Sequence, residues 1–191
     1  MSNSEGLIIV ISGPSGAGKG TIISRILEMR PEIKFSVSAT TRAPRPGETD
    51  GVSYQFISHE LFGVMITRDE FLEYAEYVGE FYGTPKKPVY DCVENGRDIL
   101  LDIEVKGARK VMSLEPKAVT VFVVPPDLEE LERRLRGRGT DTEEKLAARL
   151  LRASIELEEK VHYDYIVVND TIIRAAEEII NIIDRRKKGT N

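Results

Sequence analysis

Gly13-Pro14-Ser15-Gly16-Ala17-Gly18-Lys19-Gly20-Thr21 is the stretch on which the reading of this chain turns. Before it lies Leu7-Ile8-Ile9-Val10-Ile11, a continuous apolar and β-branched run that predicts a strand buried on both faces. After it, Ile22, Ile23, Ile26 and Leu27 fall on one helical face, and Pro31 closes the segment. Glycines in such a turn let the backbone adopt conformations denied to other residues and come close to a ligand. Successive N–H groups then point inward, and the helix that follows adds its positive end. The bland reading is a glycine-rich turn with an incidental lysine. The buried strand, the helix and a lysine at the helix start weigh against it.

The stretch resembles the P-loop, in which the lysine reaches the β and γ phosphates of a nucleotide. That resemblance implies ATP binding by Gly13, Pro14, Ser15, Gly16, Ala17, Gly18, Lys19, Gly20 and Thr21. The strict pattern asks for Ser or Thr directly after the lysine, and here Gly20 stands there with Thr21 next. A direct hydroxyl–Mg²⁺ bond is therefore not expected. Mg²⁺ is expected to be held by ATP oxygens and waters, with no direct protein ligand, in keeping with its preference for retaining waters.

Working outward, similar buried runs recur at Ile99-Leu100-Leu101-Asp102-Ile103, Val119-Thr120-Val121-Phe122-Val123-Val124 and Tyr165-Ile166-Val167-Val168. Helical patterns separate them. Asp127 with Glu130, and Asp141 with Glu144, have the spacing of a capping box with Asp in place of Ser or Thr. A last helix from Thr171 carries Ile172, Ala176, Ile179, Ile180 and Ile183. Buried strands alternating with amphipathic helices predict an α/β fold, a parallel sheet with helices on both faces. Two stretches break the alternation. Residues from about Ser38 to Pro88 hold several aromatics and short elements, with Thr67 and Glu70 spaced as a capping box for one short helix. They read as an inserted subdomain. Arg136-Gly137-Arg138-Gly139-Thr140-Asp141 interleaves glycines with arginines and reads as a mobile, phosphate-seeking flap.

The 191 residues suffice for one packed core, and the net charge of −5 argues against a protein that grips a long nucleic acid by its backbone. The lone thiol, Cys92, has no internal disulfide partner and reads as a small, partly buried apolar residue. His59 and His162 have no metal-ligand spacing and read as surface or packing residues. The run from Leu7 is too short for a secretory or membrane segment, so no membrane association and a cytoplasmic location are expected.

The segment Ser38-Ala39-Thr40-Thr41-Arg42-Ala43-Pro44-Arg45 places two guanidiniums three residues apart beside a proline. Arginine forks match phosphate geometry, and Tyr54 and Tyr82 add neutral donors. Ordinary surface charge is the competing reading of this segment taken alone. The segment resembles the guanylate kinase family. The resemblance continues through Glu70-Phe71-Leu72-Glu73-Tyr74-Ala75-Glu76, Phe81-Tyr82-Gly83-Thr84-Pro85, Leu101-Asp102-Ile103-Glu104-Val105-Lys106-Gly107, Gly137-Arg138-Gly139-Thr140 and Val168-Asn169-Asp170. These blocks stand in the family's order and cover nearly the whole chain.

The resemblance implies a P-loop nucleoside-monophosphate-kinase fold: a parallel five-stranded sheet flanked by helices, an inserted GMP-binding subdomain and a small lid. The implied division is a core of 1–37, 89–136 and 150–191, a GMP-binding subdomain of 38–88 and a lid segment of 137–149. It implies ATP-dependent phosphorylation of GMP, and of dGMP, to the diphosphate. Arg42, Arg45, Tyr54 and Tyr82 fall where the family binds the GMP phosphate. Ser38, Glu73, Thr84, Asp102 and Glu104 fall around its guanosine. Lys19, Arg134, Arg138 and Arg149 fall where charge gathers around ATP and the transferring group, and Asn169 falls near the adenine. Lys19, Arg42, Arg138 and Arg149 are the implied catalytic set. Glu104 stands where many relatives have Asp, and Lys106 where many have Gln.

The chemistry of the base agrees. Guanine presents N1–H and N2–H₂ as adjacent donors, which one carboxylate, Glu73, can accept together, while hydroxyls of Ser38 and Thr84 can donate to O6. The competing reading of Glu73 is a solvated carboxylate on a short helix. Asp102 has two open roles, orienting metal-bound water or contacting guanosine. Rival functions are a monophosphate kinase of other base specificity and a non-catalytic guanylate-kinase-like binding module. The sequence leaves homo-oligomerisation open.

Overall fold

The computed structural model describes residues 5–137 and 142–189. Five strands form a wholly parallel sheet: β1 (Ile8–Ser12), β2 (Lys34–Phe35), β7 (Ile99–Asp102), β8 (Val119–Val124) and β9 (Tyr165–Val168), in the order β2-β7-β1-β8-β9. β1 lies at the centre, and all five of its residues are buried. Alternation splits it between two cores. Ile9 and Ile11 pack with the helices α1 (Lys19–Met29) and α7 (Ile172–Lys187), through residues such as Ile22, Ile26 and Ile179. Ile8 and Val10 pack on the other face with α3 (Lys86–Glu94) and α4 (Val105–Leu114), through Val89, Val93, Ala108 and Val111. A strand with helices on both sides has no polar face, which is why its sequence reads as an unbroken apolar run.

A second, four-stranded sheet lies wholly between Ala39 and Pro85. It comprises β3 (Ala39–Thr40), β4 (Gln55–Phe56), β5 (Phe71–Tyr77) and β6 (Glu80–Pro85), in the order β4-β3-β6-β5. β3 and β5 run antiparallel to β6, and β4 runs parallel to β3. Helix α2 (His59–Thr67) covers it. Phe62 of α2 is fully buried and stacks on Phe71 at 4.4 Å and Phe81 at 5.4 Å between ring centroids, giving this sheet its own small core.

Several expectations need correction. Thr67 does not begin a helix. It ends α2, whose cap is Ser58, its side chain accepting from Leu61 N–H. Glu70 and Glu73 consequently lie before and within strand β5, not on a helix. A Thr-x-x-Glu spacing matches a capping box wherever it occurs, and the aromatic alternation after it belongs to a strand. Asp127 does cap α5 (Leu128–Arg136), accepting from Glu130 N–H, but the Glu130 carboxylate turns to Arg133 and Arg134 and not back to the cap. The cap of α6 (Glu143–Glu158) is Thr142, accepting from Lys145 N–H, and the proposed Asp141 cap lies outside the described residues. Only four strands of the parallel sheet show as apolar runs in the sequence. The fifth, β2, is a two-residue edge element, too short for periodicity to register. Among the described residues, no helix is long and apolar enough to cross a membrane.

Candidate active site

The glycine-rich loop joins β1 to α1 where the parallel strands end. Gly13 has φ of 144°, and a Cβ there would lie 2.2 Å from the Val123 carbonyl oxygen. Gly18 caps α1 with φ of 89° and no side-chain cap, so the first N–H groups of the helix stay available to an anion. Lys19 Nζ reaches back across the loop to donate to the Gly13 carbonyl at 2.8 Å. The far side of the loop is fastened. Asn169, buried at the end of β9, donates through Nδ2 to the Ala17 carbonyl at 2.7 Å. Arg134 on α5 donates to Ala17 O at 3.3 Å and to Asn169 O at 2.9 Å. Arg149 on α6 donates to Ser15 Oγ at 2.9 Å. Lys19, Arg134, Arg149 and Asn169, read from separate parts of the sequence, therefore converge on one loop. Gly20 and Thr21 are exposed on the first turn of α1. Arg138 lies outside the described residues.

A second pocket forms on the four-stranded sheet. Glu73 on β5 pairs with Thr84 on β6, and the Thr84 hydroxyl donates to Glu73 Oε1 at 2.6 Å. Ser38 precedes β3 on the other side of β6, level with Thr84 by the register Ala39–Gly83. The three groups expected to read a purine base thus sit at one level across three neighbouring strands. Glu73 is buried, and burial raises its carboxyl above the usual range; the Thr84 hydrogen bond and Lys110 oppose the shift, and Glu104 adds to it. Gly107 on α4 permits this burial: a Cβ there would stand 2.5 Å from Glu73 Oε2.

The arginines lie on the loop after β3. Arg42 donates from both terminal nitrogens to Glu48, each at 2.9 Å, and from Nη1 to Ala43 O at 2.7 Å. Tyr82 also hydrogen-bonds this guanidinium, so a phosphate arriving at the arginine would meet Arg42 and Tyr82 together. Tyr54 and Phe56 flank the guanidinium, with ring centroids 5.4 Å and 5.8 Å away, and Tyr82 packs edge-on against Tyr54 at 6.1 Å. Glu48 also accepts from Arg45 N–H at 2.7 Å, and the Arg45 side chain is exposed. The Arg42 hydrogen bonds hold the Glu48 carboxyl at about 2, with the Arg45 N–H adding to the effect. Burial raises the Tyr54 hydroxyl, opposed by Arg42.

Asp102 ends β7 beside β1 and lies between the two pockets. Water reaches its carboxylate, but protein crowds it on most sides, and this burial pushes it above the usual range; Lys19 opposes the shift and Glu104 adds to it. It also acts on Tyr54. Glu104 caps α4 with no side-chain cap bond, and its carboxylate accepts from Arg152 Nη2 at 2.9 Å. Three residues escaped the sequence reading: Glu48, Lys110 and Arg152. Glu48 carried one legible signal, an acid three residues after Arg45 in a turn. The other two act across the fold and carried none.

Comparison with known proteins follows from this geometry. The guanylate kinase family model matches residues 5–186. The chain is 49% identical over 183 residues to the guanylate kinase of Desulfitobacterium hafniense (strain Y51), covering 96% of this chain and 92% of that one. It is 50% identical over 183 residues to the guanylate kinase of Clostridioides difficile (strain 630), covering 96% and 89%. The crystal structure of guanylate kinase from Anaplasma phagocytophilum superposes with a TM-score of 0.79 at 38% identity, covering 96% of this chain and 87% of that one.

Proposed function

The chain belongs to the guanylate kinase family and is an enzyme that phosphorylates GMP, and we propose that ATP is the phosphoryl donor, entering with Mg²⁺ as its counter-ion. The observation that carries the reading is the pairing of two pockets around Asp102. A glycine-rich anion cradle with Lys19 lies on one side, and a buried carboxylate beside a braced arginine fork lies on the other.

The proposed roles follow from what each group can donate or accept. Guanine places N1–H and N2–H₂ on the Glu73 carboxylate and O6 toward the hydroxyls of Ser38 and Thr84. Adenine would meet that carboxylate with a lone pair at N1, and a buried polar site left unpaired rejects a ligand by up to ~10⁴–10⁵-fold. The monophosphate is held by Arg42 with Arg45, Tyr54 and Tyr82 as further donors. These contacts are shared by GMP and dGMP, so both are accepted. A phosphate oxygen of GMP attacks the γ-phosphorus of ATP, the bond from that phosphorus to the β-bridging oxygen breaks, and ADP leaves. The oxygen is already ionised, so the transfer requires no general base.

Catalysis is then positioning and charge neutralisation. The loop N–H groups and Lys19 hold the β and γ phosphates, with Arg149 and Arg138 gathering on the transferring group, and Asn169 and Arg134 bracing the loop from behind. Mg²⁺ neutralises phosphate charge when ATP is bound. Asp102, which feels the charge of Lys19, would either accept from waters of that ion or contact the guanosine. In this reading 38–88 is the acceptor-carrying subdomain, 137–149 the lid and the remainder the core, and the enzyme works in the cytoplasm.

ADP release measured with GMP, dGMP, AMP, UMP and CMP tests the assignment. Turnover with the two guanine nucleotides and at least ~10³-fold lower kcat/KM with the others is expected. Comparable turnover of AMP would overturn the base reading.

A further inference from the structure

Arg152 lies outside both pockets yet touches the acceptor side of the molecule from the helix that serves the donor side. It stands on α6, three residues after Arg149, whose guanidinium donates to Ser15 of the glycine-rich loop at 2.9 Å. Arg152 donates from Nη2 to Glu104 Oε2 at 2.9 Å and from Nε to Glu156 Oε1 at 2.8 Å. Its guanidinium also lies 5.9 Å from the ring centroid of Tyr77, on β5, the strand that carries Glu73. One turn of α6 therefore contacts the donor loop, the head of α4 and the acceptor sheet.

The charges around Glu104 explain what the contact does. Glu73, which is buried, and Asp102 and Glu104, which are exposed, are three carboxylates beside a pocket that must admit a phosphate. Glu104 is felt by both of the others, and each of the three has one cation set against it: Lys110 for Glu73, Lys19 for Asp102 and Arg152 for Glu104. Glu104 makes no cap bond to α4, so its carboxylate is free to turn toward the pocket when Arg152 is absent.

We propose that Arg152 is a positioning residue that draws the Glu104 carboxylate to α6, and that through it occupation of the donor loop is coupled to affinity for the acceptor nucleotide. The proposal rests on the ATP and GMP sites assigned above. ATP phosphates draw Arg149 from Ser15 toward the nucleotide, and Arg152, on the same turn of α6, then grips Glu104 and Tyr77 more tightly, which favours GMP. The pair is about half exposed on the arginine side, so its effect is modest.

The experiment compares wild type with Arg152→Ala, Arg152→Lys, Glu104→Gln and the double variant Arg152→Ala/Glu104→Gln. It measures KM for GMP, kcat, the thermal midpoint, and the GMP dissociation constant with and without a non-hydrolysable ATP analogue. Arg152→Ala is expected to raise KM for GMP about two- to fivefold with kcat little changed, as suits an exposed ion pair. Arg152→Lys recovers part of that loss. The double variant is no worse than the poorer single one, and the analogue tightens GMP binding less in Arg152→Ala than in wild type. An unchanged KM and unchanged coupling in Arg152→Ala, or additive losses in the double variant, would overturn the proposal. A fall in kcat and thermal midpoint without a change in coupling would show a merely structural role and overturn it too. Each of these results leaves GMP turnover by the wild type intact. Loss of the underlying assignment would show instead as a wild-type enzyme that does not use GMP.

Discussion

At the scale of single residues, Glu73 and Glu48 are carboxylates pushed in opposite directions by their surroundings. Glu48 is held low by Arg42 and serves as a fixed brace. Glu73 is raised by burial, so its charged form is costlier here than in water. A carboxyl whose folded pKa is raised favours the fold below its unfolded pKa, and that contribution is lost as pH rises through the folded pKa. Ionised Glu73 is therefore disfavoured by its burial in the empty enzyme, and donors from guanine would offset that cost. Glu73→Gln should raise KM for GMP about 10–100-fold while leaving the thermal midpoint of the empty protein unchanged or higher. GMP affinity of the wild type should fall with acidification at a higher pH than an ordinary Glu would give, because the protonated acid accepts from guanine poorly. A Glu73→Gln enzyme with unaltered KM, or a wild-type affinity flat through that range, would contradict this. The loop lysine, the arginines and this glutamate were legible because each is a charged or hydroxylated residue in a motif. Lys110 was not, because its role exists only once Glu73 has been placed in space, and Glu48 showed only as an acid three residues after Arg45.

At the scale of elements, the parallel strands announced themselves and the acceptor sheet did not. β1, β7 and β8 are covered on both faces, so nearly every residue is apolar, while the edge strand β9 keeps an apolar run although Ile166 and Val168 are exposed. β3 and β4 are two residues each and held by pairing and by the Phe62 stack, which leaves no period to read. The same locality misled the capping assignment at Thr67. Helix α4 approaches β5 closely enough that Gly107 faces the Glu73 carboxylate and Ile103. Gly107→Ala should improve helix propensity by about 1 kcal/mol and cost about 1–3 kcal/mol in overpacking. The loss should appear as weakened GMP binding, read by titration calorimetry, with ATP binding unchanged. Equal GMP affinity would show that the helix retreats freely. At the other end of the core, the side chain of Asp98 is only 2% exposed, accepts from Leu7 N–H at 3.0 Å and pairs with Lys187 of α7 at 2.8 Å. Asp98→Ala leaves the buried N–H unpaired and should cost about 1–3 kcal/mol. At about 2–4 °C per kcal/mol for a chain of this size, calorimetry should register a lower midpoint with kcat preserved.

At the scale of the molecule, two sheets carry two sets of ligand groups, and Leu72 of β5 packs into the core beneath the parallel sheet. Asp102 stands between Lys19 and Tyr54, and Arg152 joins α6 to Glu104 and Tyr77. This division lets the acceptor be read by hydrogen bonds in a buried pocket while the donor is held by backbone N–H groups and charge. It also explains what the sequence conveyed. The class of fold and the donor loop follow from local pattern, whereas the joining contacts depend on how the sheets face each other. The account stands on the base lying against Glu73. A crystal structure with GMP bound tests this most directly. The account predicts guanine N1 and N2 within hydrogen-bond distance of the Glu73 carboxylate and the phosphate against Arg42. A guanine ring seated away from Glu73, with the carboxylate still bonded only to Thr84, would contradict it.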